Sequence, residues 1–343
     1  MGTAARAVKT LSGIAADAIP IEAIVASQQP ALLKGAARDW PLVRAGLEGP
    51  AAAMRYLAAF SNGREVVGYV GDPAIGGRFF YDDAVALLNF SGARVALPAF
   101  LDRIAAHLDD PAPPAFYIGS TDLDGYLPGL RAENELPLGK PVTAHGDPLA
   151  SIWIGNRTVA ATHYDMSNNI ACCMVGRRRF TLFPPDQIAN LYPGPLEPTP
   201  GGQVVSMVDA RAPDLARYPR FADAMAAAHV AEMEPGDVLI YPALWWHQVE
   251  ALVAFNVMIN YWWNAAPAFM DTPMNTLLHG LLSLRDRPES EKRAWAAMFD
   301  YYVFGEPDRA GAHLPEAARG ALAPLDPMAA RRLRATLLNK LNR

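Results

Sequence analysis

His163-Tyr164-Asp165 and the distant His247 carry the residue types with the most chemistry in this chain. Two imidazoles and one carboxylate can grip a single divalent metal and leave coordination positions open, the facial arrangement of mononuclear non-haem iron. On an extended segment residues i and i+2 point to one face, so His163 and Asp165 can hold the same ion. His247 must then arrive on another strand that the fold lays alongside. Taken alone, His247 beside Trp245 and Trp246 reads as a core histidine; the H-x-D in the same stretch of chain shifts that balance. A second H-x-D, His145-Gly146-Asp147, sits between Pro141 and Pro148 in a stretch that reads as loop. Metal ligands need elements that lock their orientation, so His163 and Asp165 are the expected ligands and His145 and Asp147 bystanders.

An iron centre of this kind needs a reductant that binds the metal. 2-Oxoglutarate does so through one carboxylate and its keto oxygen, leaving the distal carboxylate for a cation. In Gly176-Arg177-Arg178-Arg179-Phe180-Thr181-Leu182-Phe183 alternation puts Arg178 with Phe180 and Leu182, and Arg177 with Arg179 and Thr181. The apolar companions make the Arg178 face the interior one. An inward arginine is costly unless paired, and a carboxylate matches its fork. The competing reading is a basic strand entrance using all three arginines. On the preceding segment Asn169, Ala171, Cys173 and Val175 share a face, and small residues at 171 and 173 leave room for a ligand. Asn169 and Asn260 lie in apolar surroundings and each needs a hydrogen-bond partner. A metal-bound carboxylate or a water beside it is one such partner; capping of a turn is the other reading for Asn169.

The elements that must position these groups are short. Between residues 141 and 264, runs at Ser151–Gly155, Asn169–Val175, Arg178–Phe183, Val230–Met233, Val238–Tyr241, Gln248–Val253 and Val257–Trp263 are separated by Gly, Pro and Asn, which predicts a β-sandwich or barrel. Glu234-Pro235-Gly236-Asp237 is a turn between two of them. The Pro- and Gly-rich excursion 184–229 is expected to cover one mouth of the barrel and to carry substrate contacts. Residues 1–140 mix strands (Pro30–Lys34, Val66–Val70, Phe116–Ile118) with helices (Ala51–Phe60, Pro98–Leu108) and are expected to pack on the barrel and extend it. From 265 to 343 the spacing turns helical, at Met274–Leu284, Ser290–Tyr302 and Met328–Leu341, the last bearing Arg331, Arg332, Arg334, Lys340 and Arg343 as a solvated face.

Composition sets bounds. With 51% hydrophobic and 19% charged residues the chain reads as globular. A net charge of −5 gives no general attraction to nucleic acid. No apolar run approaches a bilayer-spanning length, and neither a signal peptide nor a myristoylation start at Met1-Gly2 is expected, since position 6 is Arg. A cytoplasmic location is the default expectation. Cys172 and Cys173 are adjacent; strand neighbours face opposite ways, so they read as buried free thiols.

Here a resemblance enters. His163-Tyr164-Asp165 with Asn169, then Arg178 to Gln187, Leu191-Tyr192-Pro193, Pro235-Gly236-Asp237, Trp245-Trp246-His247 and Asn260-Tyr261-Trp262 follow in order and spacing the cupin-like (JmjC-type) Fe(II)/2-oxoglutarate-dependent oxygenases. The pattern is similar to the protein asparaginyl hydroxylases of that family. Pro30 to Gly35 with Asp39-Trp40-Pro41 resembles their entry strand. The resemblance implies an all-β core with flanking helices, built as a double-stranded β-helix (jelly-roll, cupin) with a C-terminal helical region. It implies Fe(II) on His163, Asp165 and His247, with 2-oxoglutarate and O₂ as cosubstrates. By position it makes Tyr117 a second contact to the distal carboxylate, and it makes the C-terminal helices a homodimer interface. Arg178 stands where such relatives carry lysine, and Ala160 where they carry threonine. The activity implied is hydroxylation of a peptide or protein side chain, with RNA or a small molecule as further substrate classes. The alternatives are a metal-dependent cupin isomerase, a 2-oxoglutarate-independent dioxygenase, or a non-enzymatic metal- or ligand-sensing cupin.

Overall fold

The computed structural model describes residues 5–342, so Met1-Gly2 and Arg343 lie outside the described residues. Residues up to Ala265 form one compact unit and those from Ala266 a second.

Eight strands make the centre of the first unit. They are numbered here β1 Leu149–Gly155, β2 Val159–Tyr164, β3 Asn168–Val175, β4 Arg178–Phe183, β5 His229–Met233, β6 Val238–Tyr241, β7 Trp246–Ala251 and β8 Asn256–Trp263. They form two facing antiparallel halves, β5-β4-β7-β2 in one sheet and β6-β3-β8-β1 in the other. The chain changes sheet at most connections, which is a jelly-roll double-stranded β-helix, as the sequence implied. Earlier strands extend both sheets. Arg6–Ala7 and Arg78–Phe79 flank the first; Lys9–Ser12, Ala31–Lys34, Ala115–Asp122, Val66–Gly71 and Phe90–Val95 complete the second at nine strands.

Strand β3 shows why the apolar run at 168–175 is continuous. Ala171 and Cys173 face the barrel interior with Phe180, Leu182, Tyr241 and Met258. Ile170, Cys172 and Met174 face outward against Leu42, Val43 and Leu57. Helices Pro41–Glu48 and Pro50–Ala59, each opened by a proline in its first turn, supply that outer cover. With both faces buried, the strand carries no polar alternation. The expectation that Val175 continues the Asn169-Ala171-Cys173 face is corrected. A register shift against β8 between Cys173 and Val175 turns Val175 to the outer cluster.

Two turns need their glycines. Gly176, at φ +80°, makes the corner between β3 and β4, and a Cβ there would meet Phe255 O at 2.6 Å. Gly236, at φ +91°, sits in the turn before β6, where a Cβ would lie 2.6 Å from Arg38 Cα. In the same turn the Asp237 carboxylate accepts from the backbone N–H of Gly35 at 2.9 Å and of Glu234 at 2.8 Å, and pairs with Lys34. This pins the entry strand Ala31–Lys34 to β6.

Strands β4 and β5 are neighbours in one sheet, with Leu182 opposite His229, although the whole 184–228 excursion lies between them. That excursion holds a 3₁₀ turn, Pro185–Asn190, and a helix, Phe221–Ala227. Leu191 and Phe221 pack with Phe183 and Trp246 on the outer side of that sheet.

The second unit is helical, with Pro273–Ser283, Glu289–Phe299 running into a π-helical turn at Asp300–Phe304, and Pro327–Leu341. Asp326 caps the last helix through Ala329 N at 2.6 Å. Leu277, Leu282, Trp295, Phe304, Leu337 and Leu338 are exposed on it. Among the described residues no helix is long and apolar enough to cross a membrane.

Candidate metal centre

Strands β2 and β7 pair antiparallel with His163 directly opposite His247, their ring centroids 4.3 Å apart. Asp165 follows β2 on the same side as His163, as period-2 geometry requires. One ligand atom from each of the three lies within 4.8 Å of the others, the one such cluster of His, Cys, Asp and Glu among the described residues. His247 Nε2 is 3.6 Å from Asp165 Oδ2.

Both rings are fixed by backbone carbonyls. His163 Nδ1 lies 2.8 Å from Ala161 O, and His247 Nδ1 lies 3.0 Å from Trp245 O. A carbonyl only accepts, so each Nδ1 carries a proton and Nε2 is left as the nitrogen through which each ring can ligate. Burial, then the neighbouring His163, pull the His247 pKa down to about 4 against the opposing pull of Asp165. His247 is therefore neutral and able to ligate at pH 7.

Asp165 is fixed by a chain of donors. Its Oδ2 accepts from Asn169 Nδ2 at 2.8 Å and from the Trp262 indole N–H at 3.0 Å. Asn169 Oδ1 accepts from Asn260 Nδ2 at 3.4 Å, and Asn260 Oδ1 accepts from Trp153 Nε1 at 2.6 Å. Pairing of β3 with β8 sets this chain, with Asn169 opposite Trp262 and Ala171 opposite Asn260. Both asparagines thus act on the carboxylate from behind, Asn260 through Asn169. Trp262 and Trp153 were not singled out from sequence. The signal for Trp262 was present, because it alternates onto the face of Asn260. Trp153 reaches Asn260 from β1, which no local pattern announces.

A mixed N,N,O donor set of two imidazoles and one carboxylate suits a divalent transition metal. His145 and Asp147 are exposed in a turn and do not belong to the cluster.

Arg178 points into the barrel, as its alternation with Phe180 and Leu182 predicts, and is 1% exposed. Arg177 and Arg179 point out and bind Glu232, Arg179 at 2.6 Å. Among the described residues Arg178 Nε and Nη2 have no hydrogen-bond partner. Burial lowers its pKa, with only Tyr117 and Cys173 opposing. Tyr117 sits in the field of this guanidinium, yet burial still lifts its phenol to about 12. Arg178 Nε and Nη2 carry three N–H donors, and leaving them unpaired on a buried cation costs several kcal/mol.

A cavity of about 680 Å³ opens over the cluster, and His163, Asp165, His247, Asn169, Asn260 and Tyr117 all reach its surface. Arg178 lies behind that surface, two residues along β4 from Phe180, which lines it. Thr199–Gln203 and Val205, from the 184–228 excursion, form part of the wall.

Comparison with known proteins agrees with the fold. A family described as a cupin-like domain matches residues 16–269. HSPB1-associated protein 1 of Rattus norvegicus is 36% identical over 115 residues, 33% of this chain and 23% of that protein. tRNA wybutosine-synthesizing protein 5 of Danio rerio is 35% identical over 107 residues, 31% of this chain and 30% of that protein. Jumonji C domain-containing protein 5 of Drosophila melanogaster is 26% identical over 240 residues, 68% of this chain and 54% of that protein. In each case the match spans less than two thirds of the relative's own length.

Proposed function

This chain belongs to the cupin-like, JmjC-type oxygenase family, and from that premise we propose that it is an Fe(II)- and 2-oxoglutarate-dependent hydroxylase acting on a peptide or protein side chain. The observation that carries the reading is Arg178, a buried guanidinium without a partner on its Nε and Nη2 among the described residues. An isomerase, a 2-oxoglutarate-independent dioxygenase or a metal-sensing cupin would need the triad but gives this cation nothing to bind.

In this reading His163, Asp165 and His247 hold the iron, and Arg178 with Tyr117 holds the distal carboxylate of 2-oxoglutarate. When bound, the pair supplies an oxidant for C–H bonds, so that substrate, O₂ and 2-oxoglutarate become hydroxylated substrate, succinate and CO₂. The chain's own contribution is orientation and dryness. The two carbonyl contacts fix the imidazoles. Asn169 and Trp262 keep Oδ2 of Asp165 engaged, so the carboxylate cannot swing. Phe180, Val249, Met258 and Tyr241 line the inner cavity and exclude water around the bound groups.

A protein substrate is proposed over RNA because no Lys or Arg lines the cavity among the described residues, whereas phosphate recognition rests on such charges. One relative is named for association with HSPB1 and another for tRNA wybutosine synthesis, so both classes belong in a screen. The exposed apolar helices of the second unit support a homodimer through that unit, which the concentration dependence of sedimentation checks. The test of function is succinate formation from 2-oxoglutarate that depends on Fe(II) and O₂, with calorimetric 2-oxoglutarate binding beside it. Binding of the metal without any 2-oxoglutarate would favour the isomerase or sensor reading.

A further inference from the structure

Six aromatic rings form an unbroken file along one side of the cavity. Tyr69 and Phe90 lie 5.6 Å apart by ring centroid, Phe90 and Phe79 5.0 Å, Phe79 and Tyr117 5.4 Å, Tyr117 and Trp153 5.7 Å, and Trp153 and Trp262 5.8 Å. All six line the cavity. Five of them are only half-buried, Phe79 being the buried one. The file begins on the edge pair Val66–Gly71 and Phe90–Val95 and ends at Trp262, whose indole holds Asp165. All six rings reach the cavity surface while packing on one another, so they form a continuous apolar lining as well as a packed wall.

The same surface is poor in charge. Apart from the metal cluster, no Asp, Glu, Lys or Arg lines it among the described residues. With a divalent ion, Asp165, Arg178 and the two carboxylates of 2-oxoglutarate in place, the charges of the filled site cancel. Nothing remains to neutralise a substrate ammonium, guanidinium or carboxylate, and burying such a group unpaired costs several kcal/mol. Aromatic faces do attract cations. Here, however, three of the five neighbouring pairs meet edge to face, at 87°, 71° and 77°, and among the described residues no carboxylate other than Asp165 of the metal cluster lines the surface beside the rings.

We propose that the ring file is the substrate track, and that the group it delivers to the metal is an uncharged apolar or aromatic side chain of a peptide. This rests on the hydroxylase reading and narrows its substrate class. Tyr69, Phe90 and Phe79 select for apolar surface at the outer end, and Trp153 seats the reacting side chain beside Asp165.

The test is binding of matched capped amino acids to the protein loaded with Fe(II) and 2-oxoglutarate under argon, followed by ligand-observed NMR. The probes are the N-acetyl amides of phenylalanine, leucine, lysine, trimethyl-lysine and glutamate, with adenosine monophosphate as the nucleotide. The neutral probes are expected to bind at least tenfold more tightly than every charged one. Phe90→Lys is expected to weaken the phenylalanine probe at least tenfold, and Phe90→Ala less, with folding of both checked by circular dichroism. Preference for either lysine probe, for glutamate or for the nucleotide overturns the proposal. So does failure of the neutral probes to bind at 20 mM, or their indifference to Phe90→Lys in a folded variant. A separate calorimetric arm on the unsubstituted protein measures 2-oxoglutarate alone. Its failure strikes the hydroxylase reading, while its success with a wrong probe preference strikes only the track.

Discussion

The barrel interior has two polar regions, and they are finished to different degrees. Around Asp165 and the histidines, Asp165 Oδ2 has two donors and both ring Nδ1 atoms have a carbonyl. Around Arg178, two guanidinium nitrogens have nothing among the described residues. In the first region each of these atoms has its partner. In the second a buried cation keeps unpaired donors, which costs stability. A fully paired cluster and an under-paired cation thus share one barrel interior, and the difference shows where polar groups are satisfied by the chain itself and where they are not.

That contrast can be broken by substitution. The largest effect is expected from Asp165→Ala or His247→Ala, which remove a ligand outright. Metal affinity in anaerobic calorimetry should fall by more than the ~10–100-fold that loss of an outer partner costs. Retention of tight binding would mean the ion sits elsewhere.

Next comes Arg178→Met, where two readouts should move in opposite senses. Affinity for 2-oxoglutarate should drop ~30-fold or more, since removing one member of a buried charge pair costs about 2–5 kcal/mol. Without ligand the variant should be more stable by ~1–4 kcal/mol in urea titration, because an unpaired buried charge has gone. A destabilised ligand-free variant would show that the arginine already has a partner, and the two regions would then not differ.

A smaller change is expected for Trp262→Phe and Asn169→Ala, which free Oδ2 of Asp165 while leaving the ligands. Metal affinity should fall ~10–100-fold, and Trp262→Phe should also leave the cavity shape nearly intact. At the other extreme, His145→Ala should alter neither metal affinity nor stability beyond ~0.5 kcal/mol, since its side chain is exposed and away from the cluster.

Much of this was legible in the chain because strands write their faces at period two. Residues 178–183 and 238–241 appear with the bounds that alternation and turn residues give them, and the inward aim of Arg178 follows from the same alternation. The triad was legible because His163 and Asp165 stand two residues apart at the end of one strand and His247 follows a strong turn-strand signal. What stayed hidden is cross-strand. The two-residue strand Arg6–Ala7 and the strand Lys9–Ser12 are defined by parallel partners far along the chain, His229–Val230 and Ala31–Lys34. The bulge after Cys173 depends on β8, which local pattern around 175 does not contain. The ring file takes one ring from each of six strands, so its members look like scattered core aromatics until the sheets assemble.

The long segment between β4 and β5 has a consequence of its own. Its ends are clamped one hydrogen-bonded rung apart, Leu182 against His229, so it is topologically a hairpin loop grown large. Lengthening such a loop costs little in closure entropy, ~0.6 kcal/mol per doubling, where its own contacts are kept. Yet this segment carries Thr199–Gln203 to the cavity wall. The same segment is tied to the strand of the cluster, Val205 bridging His163 and the Ser206 N–H donating to Thr162 O at 2.7 Å. One loop therefore holds two grades of freedom: residues 204–208 belong to the framework of the cluster, while Thr199–Gln203 at its tip can be exchanged to reshape the cavity wall.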